Sequence, residues 1–237
     1  KLEVHEKDLL SIINKVRSEE ILGINVTIPF KQKIIPFLDI LSDTAKVTNS
    51  VNTIYKKSDK IVGANTDVFG FEQSLKKLSP KKSIKNALII GSGGVTPSIV
   101  FALKNLGLDQ ITLTNRTMEK AELLKTKFSP IVNLLSWKNL KDYKNADIVI
   151  NATSLGLPGS NLDIDFYNLN KKAIIYDIIY NPKKTKFLKL AKQKGHIIAN
   201  GMSMFLYQAQ KSFEIWTKIK PSIDEELIKK INNKLYD

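Results

Sequence analysis

The chain contains no cysteine, which excludes a disulfide framework, a thiolate metal site and a cysteine nucleophile. Only two histidines occur, His5 and His196, far apart in sequence, so no His-rich metal site is expected. Long apolar runs are missing too. Stretches such as Ala87–Ile90 and Ile148–Ile150 are far too short to span a bilayer. No secretory signal is visible in the charged opening Lys1–Leu10, and the chain, which starts without Met, reads as a fragment. The expectation is a cytoplasmic protein with no membrane partner. Arginine is nearly absent as well: of 37 basic residues only Arg17 and Arg116 are arginines, in a chain with 23 acidic residues and a formal net charge of +14. A basic surface can mean nucleic acid. Here the lysines are scattered through every segment in runs of no more than two, without the interleaved aromatics that stack bases. A solvated lysine-rich surface that suits anionic small molecules is the favoured reading, and no nucleic-acid partner is expected.

What remains is ordinary globular composition, 43% hydrophobic and 25% charged over 237 residues, enough for one large domain or two small ones. Three sections are legible. The first, to about Asp67, opens with a helix at Glu6–Val16, where Leu9, Leu10, Ile12, Ile13 and Val16 recur on one face. A strand Gly23–Ile28 follows, then Pro29 and a helix near Lys31–Leu38, then strands Val51–Tyr55 and Ile61–Ala64 about a polar turn. The middle section, about Val68–Gly201, alternates strands (Ala87–Ile90, Gln110–Thr114, Ile148–Ile150, Ala173–Tyr176, Ile197–Ile198) with helices near Pro97–Leu106, Met118–Phe128 and Thr185–Lys194. That alternation implies an α/β fold with a parallel sheet covered on both faces. Met202–Asp237 reads as two helices broken at Pro221.

The strand Ala87–Ile90 runs directly into Gly91-Ser92-Gly93-Gly94 and then a helix. Glycine permits a tight turn and close backbone approach to a pyrophosphate, and free N–H groups at a helix start favour anions. A glycine cluster serving only a tight turn is the competing explanation; the strand–loop–helix context favours a dinucleotide. The second strand is followed by Asn115-Arg116-Thr117. An NAD enzyme usually places Asp or Glu here for the ribose 2′-hydroxyl, whereas a cation accepts a 2′-phosphate. One of only two arginines sits at this tip, and its planar guanidinium suits two-point phosphate binding. The alternative is an N-cap Thr117 beside an incidental Arg. NADP(H) is the expected cofactor.

Seven segments in order, Asn25-Val26-Thr27-Ile28-Pro29-Phe30-Lys31, Val51-Asn52-Thr53, Asn65-Thr66-Asp67, Gly91–Gly94, Asn115-Arg116-Thr117, Asn151-Ala152-Thr153-Ser154 and Gly201-Met202 with Gln208, resemble shikimate dehydrogenases across nearly the whole chain. The resemblance implies NADPH-dependent reduction of 3-dehydroshikimate to shikimate, in the route to aromatic amino acids. It implies a Rossmann-type doubly wound NADP-binding domain (68–201) and a smaller split α/β substrate-binding domain (1–67 and 202–237), with the active site in the cleft. Lys31 and Asp67 match the catalytic pair. Thr27, Asn52, Tyr180 and Gln208 match substrate-binding positions. Thr153, Ser154, Gly201 and Met202 match positions beside the nicotinamide half of the cofactor. The family pattern also places a strand with two serines, which hold the substrate carboxylate, ahead of Lys1. Pro97 stands where many members have an arginine, and Thr96 replaces a smaller residue, which is expected to loosen cofactor packing. A homodimer is compatible with the resemblance.

Chemistry supports the catalytic pair independently. Ketone reduction needs a proton delivered to the developing alkoxide, and neither histidine is well placed to supply it. A lysine ammonium beside a carboxylate can donate that proton and polarise the carbonyl. Lysine is common here, with 35 copies, but Lys31 directly follows a strand and Pro29 rather than lying on a helix face. Asp67 could equally cap the following helix. A rival Tyr-x-x-x-Lys signature occurs at Tyr167/Lys171, Tyr180/Lys184 and Tyr207/Lys211, where chance predicts about one match, and it carries little weight. Two other readings stay open: a related quinate/shikimate dehydrogenase using NAD(H), and a non-catalytic nucleotide-binding protein that retains the fold.

Overall fold

Leu9, Ile13 and Val16 recur at helical spacing and are fully buried on one face of α1 (Leu9–Arg17), which a 3₁₀ turn at Glu6–Asp8 leads into. Leu10 falls outside that stripe and is half exposed, so it does not belong to the buried face expected from sequence. The computed structural model describes residues 2–78, 84–157, 159, 160, 162, 164, 166, 169, 170 and 172–236.

The first sheet is built from β1 (Gly23–Asn25), β2 (Ile40–Leu41), β3 (Thr53–Lys57) and β4 (Lys60–Ala64), in the order β1-β3-β4-β2. β3 and β4 form a hairpin in which Thr53 faces Ala64, so the residues just beyond the ladder, Asn52 and Asn65–Asp67, are brought side by side. The expected strand to Ile28 pairs only as far as Asn25, although Val26 N–H still donates to Asn52 O. The helix expected near Lys31–Leu38 is instead a set of tight turns ending in a 3₁₀ segment, Ile35–Phe37. Pro36 explains this. It has no N–H for an i→i−4 bond, and its ring would clash with the Gln32 carbonyl of a regular helix. The short β2 and α2 (Asp43–Thr48), capped by Ser42 accepting from Ala45 N–H, were not evident from sequence.

The second sheet contains β5 (Asn86–Ile90), β6 (Gln110–Thr114), β7 (Val132–Leu134), β8 (Ile148–Asn151), β9 (Ile174–Asp177) and β10 (Ile197–Ala199). All are parallel, in the order β10-β9-β8-β5-β6-β7. This is the doubly wound dinucleotide-binding order, whose connections reverse direction between β5 and β8. Alternate residues face opposite layers. Ala87, Ile89, Ile148, Ile150 and Tyr176 join one core with α3 (Asp67–Leu78), α4 (Thr96–Asn105) and α5 (Met118–Lys127). Leu88, Ile90, Val149 and Ile175 join another with α6 (Lys186–Gln193). In this sheet the three-residue edge strand β7 is the one that the sequence reading lacks. α7 (Met202–Thr217) and α8 (Glu225–Tyr236) complete the chain, and α7 packs along α3. The crossing is close because Gly70 lies at it: a Cβ there would stand 2.6 Å from the Met204 carbonyl oxygen. Among the described residues, no helix is long and apolar enough to cross a membrane.

Candidate active site

Two pockets adjoin at the C-terminal ends of the strands, and both are lined by Val95 and Ile178. The first, of about 390 Å³, is lined by Thr27, Lys31, Asn52, Asp67, Tyr180 and Gln208 among others. All six polar residues predicted for proton transfer and substrate binding therefore meet in one cavity. Lys31 is carried on the turn after Pro29, and its carbonyl accepts from Val51 N–H at 2.8 Å, which sets it beside Asn52. Its Nζ donates to Asp67 Oδ2 at 2.5 Å, with side-chain exposures of 15% and 8%.

Asp67 is the first residue of α3, and it is Asn65 Oδ1 that accepts from its backbone N–H, at 3.0 Å. The Asp67 carboxylate is thus left for the pocket. Its second oxygen accepts from Asn52 Nδ2 at 2.8 Å. Asn52 is itself held at its other end: Oδ1 accepts from Thr66 N–H at 2.8 Å and from the Thr53 hydroxyl at 2.9 Å. Thr53 in turn shares a 2.7 Å hydrogen bond with Ser212 of α7, and Asn25 Nδ2 donates to Ser212 Oγ at 2.9 Å. Gln208 Oε1 lies 3.4 Å from Asn52 Nδ2. Tyr180 enters from the segment after β9 and stacks on Phe205, with ring centroids 5.0 Å apart.

The second pocket, of about 500 Å³, is lined by Gly91, Ser92, Gly93, Gly94, Asn115, Arg116, Thr117, Lys120, Thr153 and Ser154, with Ile28 across the opening. Gly91 has φ +107°, and a Cβ on it would stand 2.6 Å from Thr153 Cγ2, so no other residue fits. Asn115 Oδ1 accepts from Ser92 N–H at 3.2 Å and ties the loop to the end of β6. Thr96 secures the loop from within α4. Its buried hydroxyl donates to Gly91 O at 2.9 Å and fastens the loop. Thr117 precedes α5 without a side-chain capping bond.

A nucleotide fits this cavity on three counts. The buried Ser92 Oγ has no hydrogen-bond partner. A Cβ on Gly94 would meet nothing within 4 Å, leaving space for a phosphate against the backbone. Arg116 and Lys120 are exposed at the rim, and among the described residues neither is paired with a carboxylate. Lys120 was not singled out from sequence because lysine is so abundant. The available signal was its place in the first turn of α5, four residues after Arg116. Of the other predicted positions, Gly201 lines the first pocket. Met202 lies in neither pocket; its N–H donates to Asn200 Oδ1 at 3.2 Å. Of the rival Tyr–Lys pairs, Lys211 bridges Glu214 at 3.0 Å, Lys184 is exposed, and Tyr167 and Lys171 lie outside the described residues.

Comparison with known proteins agrees with this geometry. The shikimate dehydrogenase substrate binding domain matches residues 1–54, shikimate/quinate 5-dehydrogenase residues 73–159, and the shikimate 5′-dehydrogenase C-terminal domain residues 201–225. A shikimate dehydrogenase (NADP(+)) of Pelagibacter ubique is 47% identical over 231 residues, covering 94% of this chain and 86% of that protein. The chain belongs to the shikimate dehydrogenase family. Among solved structures, a shikimate dehydrogenase in complex with NADP+ has a TM-score of 0.89 at 32% identity, over 100% of this chain and 84% of that one. A Corynebacterium glutamicum quinate dehydrogenase in complex with NAD has a TM-score of 0.88 at 27% identity, over 96% and 83%. Backbone likeness within the family therefore does not separate the two cofactors.

Proposed function

We propose that this chain reduces 3-dehydroshikimate to shikimate with NADPH, reversibly, and that Lys31 and Asp67 handle the proton. The observation that carries the reading is the Lys31–Asp67 pair in a polar pocket that adjoins, through Val95 and Ile178, a glycine-loop pocket whose rim cations Arg116 and Lys120 pair with no carboxylate among the described residues. NADPH bound on the glycine loop supplies a hydride to the substrate's carbonyl carbon. The Lys31 ammonium donates a hydrogen bond to the carbonyl oxygen and gives up a proton as charge develops there. Asp67 holds that ammonium in place, and Asn52 holds Asp67. Thr27, Tyr180 and Gln208, with Asn52, surround the ring and its hydroxyls.

Ser92 and the loop N–H groups take the pyrophosphate, while Asn115, Arg116 and Thr117, with Lys120, receive the ribose 2′-phosphate. Thr153, Ser154 and the Gly201–Met202 backbone flank the nicotinamide half. The family matches support a division into a substrate-binding unit, 1–67 with 202–237, and a nucleotide-binding unit, 68–201. The same reading puts the enzyme in the cytoplasm, as a homodimer acting on a small molecule.

The test is NADPH oxidation with 3-dehydroshikimate. Turnover with NADPH well above that with NADH is expected. NADPH binding without turnover of 3-dehydroshikimate would overturn the reading, and preference for quinate with NADH would favour the related quinate activity.

A further inference from the structure

At the C-terminal end of β9, Asp177 is a carboxylate with no exposed surface, and no cation pairs with it among the described residues. Burial of this kind is costly and pushes its carboxyl up to about 6, against three hydrogen bonds that lower it. Oδ1 accepts from Asn151 Nδ2 and from Ile179 N–H, both at 3.1 Å, and Oδ2 accepts from the Thr185 hydroxyl at 2.6 Å. An ionised carboxyl offers two oxygens and no hydrogen, so it can gather donors from several directions at once. Here it gathers them from the end of β8, the segment after β9 and the cap of α6.

Two of those three links lead into the pockets. Asn151 accepts at Oδ1 from Thr153 N–H at 3.1 Å and the Thr153 hydroxyl at 2.6 Å, and its amide also donates to Leu155 O at 2.7 Å. Thr153 lies against Gly91 in the cofactor pocket. On the other side Ile179 O accepts from Gly201 N–H at 3.2 Å, Ile178 lines both pockets and Tyr180 lines the polar one. We propose that Asp177 is a positioning residue: it fixes the Ala152–Leu155 loop and the Ile178–Tyr180 segment relative to each other, and through them the nicotinamide relative to the substrate. The inference rests on the activity proposed above. The third link, through Thr185, reaches only the start of α6 and gives a built-in control.

Asp177→Ala strands all three donors. It is expected to lower kcat about 10–100-fold, the scale of a small misplacement of reacting groups. NADP+ binding measured by calorimetry should weaken, and NADPH deuterated at the transferred position should show a larger isotope effect. KM for 3-dehydroshikimate should change less than kcat, because Lys31, Asp67 and Asn52 are untouched and only Tyr180 of the polar pocket lies on the released segment. Asp177→Asn keeps both Oδ1 bonds and can donate to Thr185, so it should restore kcat to within about threefold. Thr185→Val should lower Tm while leaving kcat and the isotope effect at the parent values.

If Asp177→Ala does not fold, Asn151→Ala cuts the same link from β8 and should reproduce the loss. Wild-type kcat, isotope effect and NADP+ affinity in a folded Asp177→Ala or Asn151→Ala variant would overturn the inference, as would an equal kcat loss in Thr185→Val. Failure of the parent chain to reduce 3-dehydroshikimate would sink the proposed activity instead. The calorimetric comparison of parent and variant would still decide the role of Asp177.

Discussion

The two pockets reach readiness by opposite routes. On the substrate side nearly every polar group is already engaged: Lys31 with Asp67, Asp67 with Asn52, Asn52 with Thr66 and Thr53, Thr53 with Ser212. Most of that lattice is buried, where fully satisfied hydrogen bonds hold a geometry firmly and an unmade one is costly. On the cofactor side the groups that matter most are unengaged among the described residues: Ser92 Oγ has no partner there, and Arg116 and Lys120 face solvent without a carboxylate. Proton delivery demands precise placement before substrate arrives, whereas a nucleotide with a pyrophosphate and a 2′-phosphate brings its own counter-charge. A rim of exposed cations is cheap to maintain in water and attracts that anion from a distance.

The contrast breaks most sharply at Lys31. Lys31→Ala should cost about 10²–10⁴-fold in kcat, the usual range for loss of a positioned general acid. NADPH affinity, measured by fluorescence titration, should stay at the parent value, since Lys31 lines only the polar pocket. A comparable loss of NADPH binding would mean that the two pockets are not independent. The next largest effect belongs to the other side. Arg116→Asp should raise KM for NADPH by about 10–100-fold, the worth of a charge-assisted phosphate contact, and change KM for NADH little. Lys120→Ala should follow in the same direction by only about 2–5-fold, as expected for an exposed single-point charge. Raising ionic strength should erode the preference for NADPH in the parent and much less in Arg116→Asp. Equal losses for both cofactors would show that the rim reads something other than the 2′-phosphate.

The same asymmetry governs how much of the molecule is legible in its sequence. The cofactor half writes itself locally: an apolar strand, a glycine cluster and a helix are contiguous from Ala87 to Asn105, and Arg116 stands at the tip of the next strand. The substrate half depends on pairs far apart in sequence. Asn25 meets Ser212 across 187 positions, and Asn52 meets Gln208 across 156, and no periodicity marks such partners. Lys31 and Asp67 were recoverable only because they sit in family-like segments; their link through Asn52 follows from the register of the β3–β4 hairpin. Local reading fails in physical ways as well. Apolar spacing after Lys31 suggests a helix that Pro36 forbids, and β7 is too short and too near an edge to show alternation. Asp177 carries no signal at all, since a lone Asp after an apolar strand reads as a strand end.

Thr96 offers the smallest test and the finest one, because its bond, like that between Ser92 and Asn115, already holds the glycine loop in a pocket whose cations still wait for a partner. Its hydroxyl donates to Gly91 O at 2.9 Å from the first turn of α4, with no exposed surface of its own. Valine has nearly the same shape and lacks the donor, so Thr96→Val isolates this bond without opening a cavity. The net worth of a neutral hydrogen bond is about 1 kcal/mol, which corresponds to roughly a fivefold loss of affinity if it is all spent on holding the loop for the pyrophosphate. The pyrophosphate is common to both nicotinamide dinucleotides, so NADPH and NADH should weaken by the same factor, unlike the selective loss from Arg116→Asp. A cofactor-selective effect from Thr96→Val would mean that loop geometry and rim charge act as one unit. In that case the cofactor side would be as tightly interlocked as the substrate side, and the contrast between the two pockets would fall.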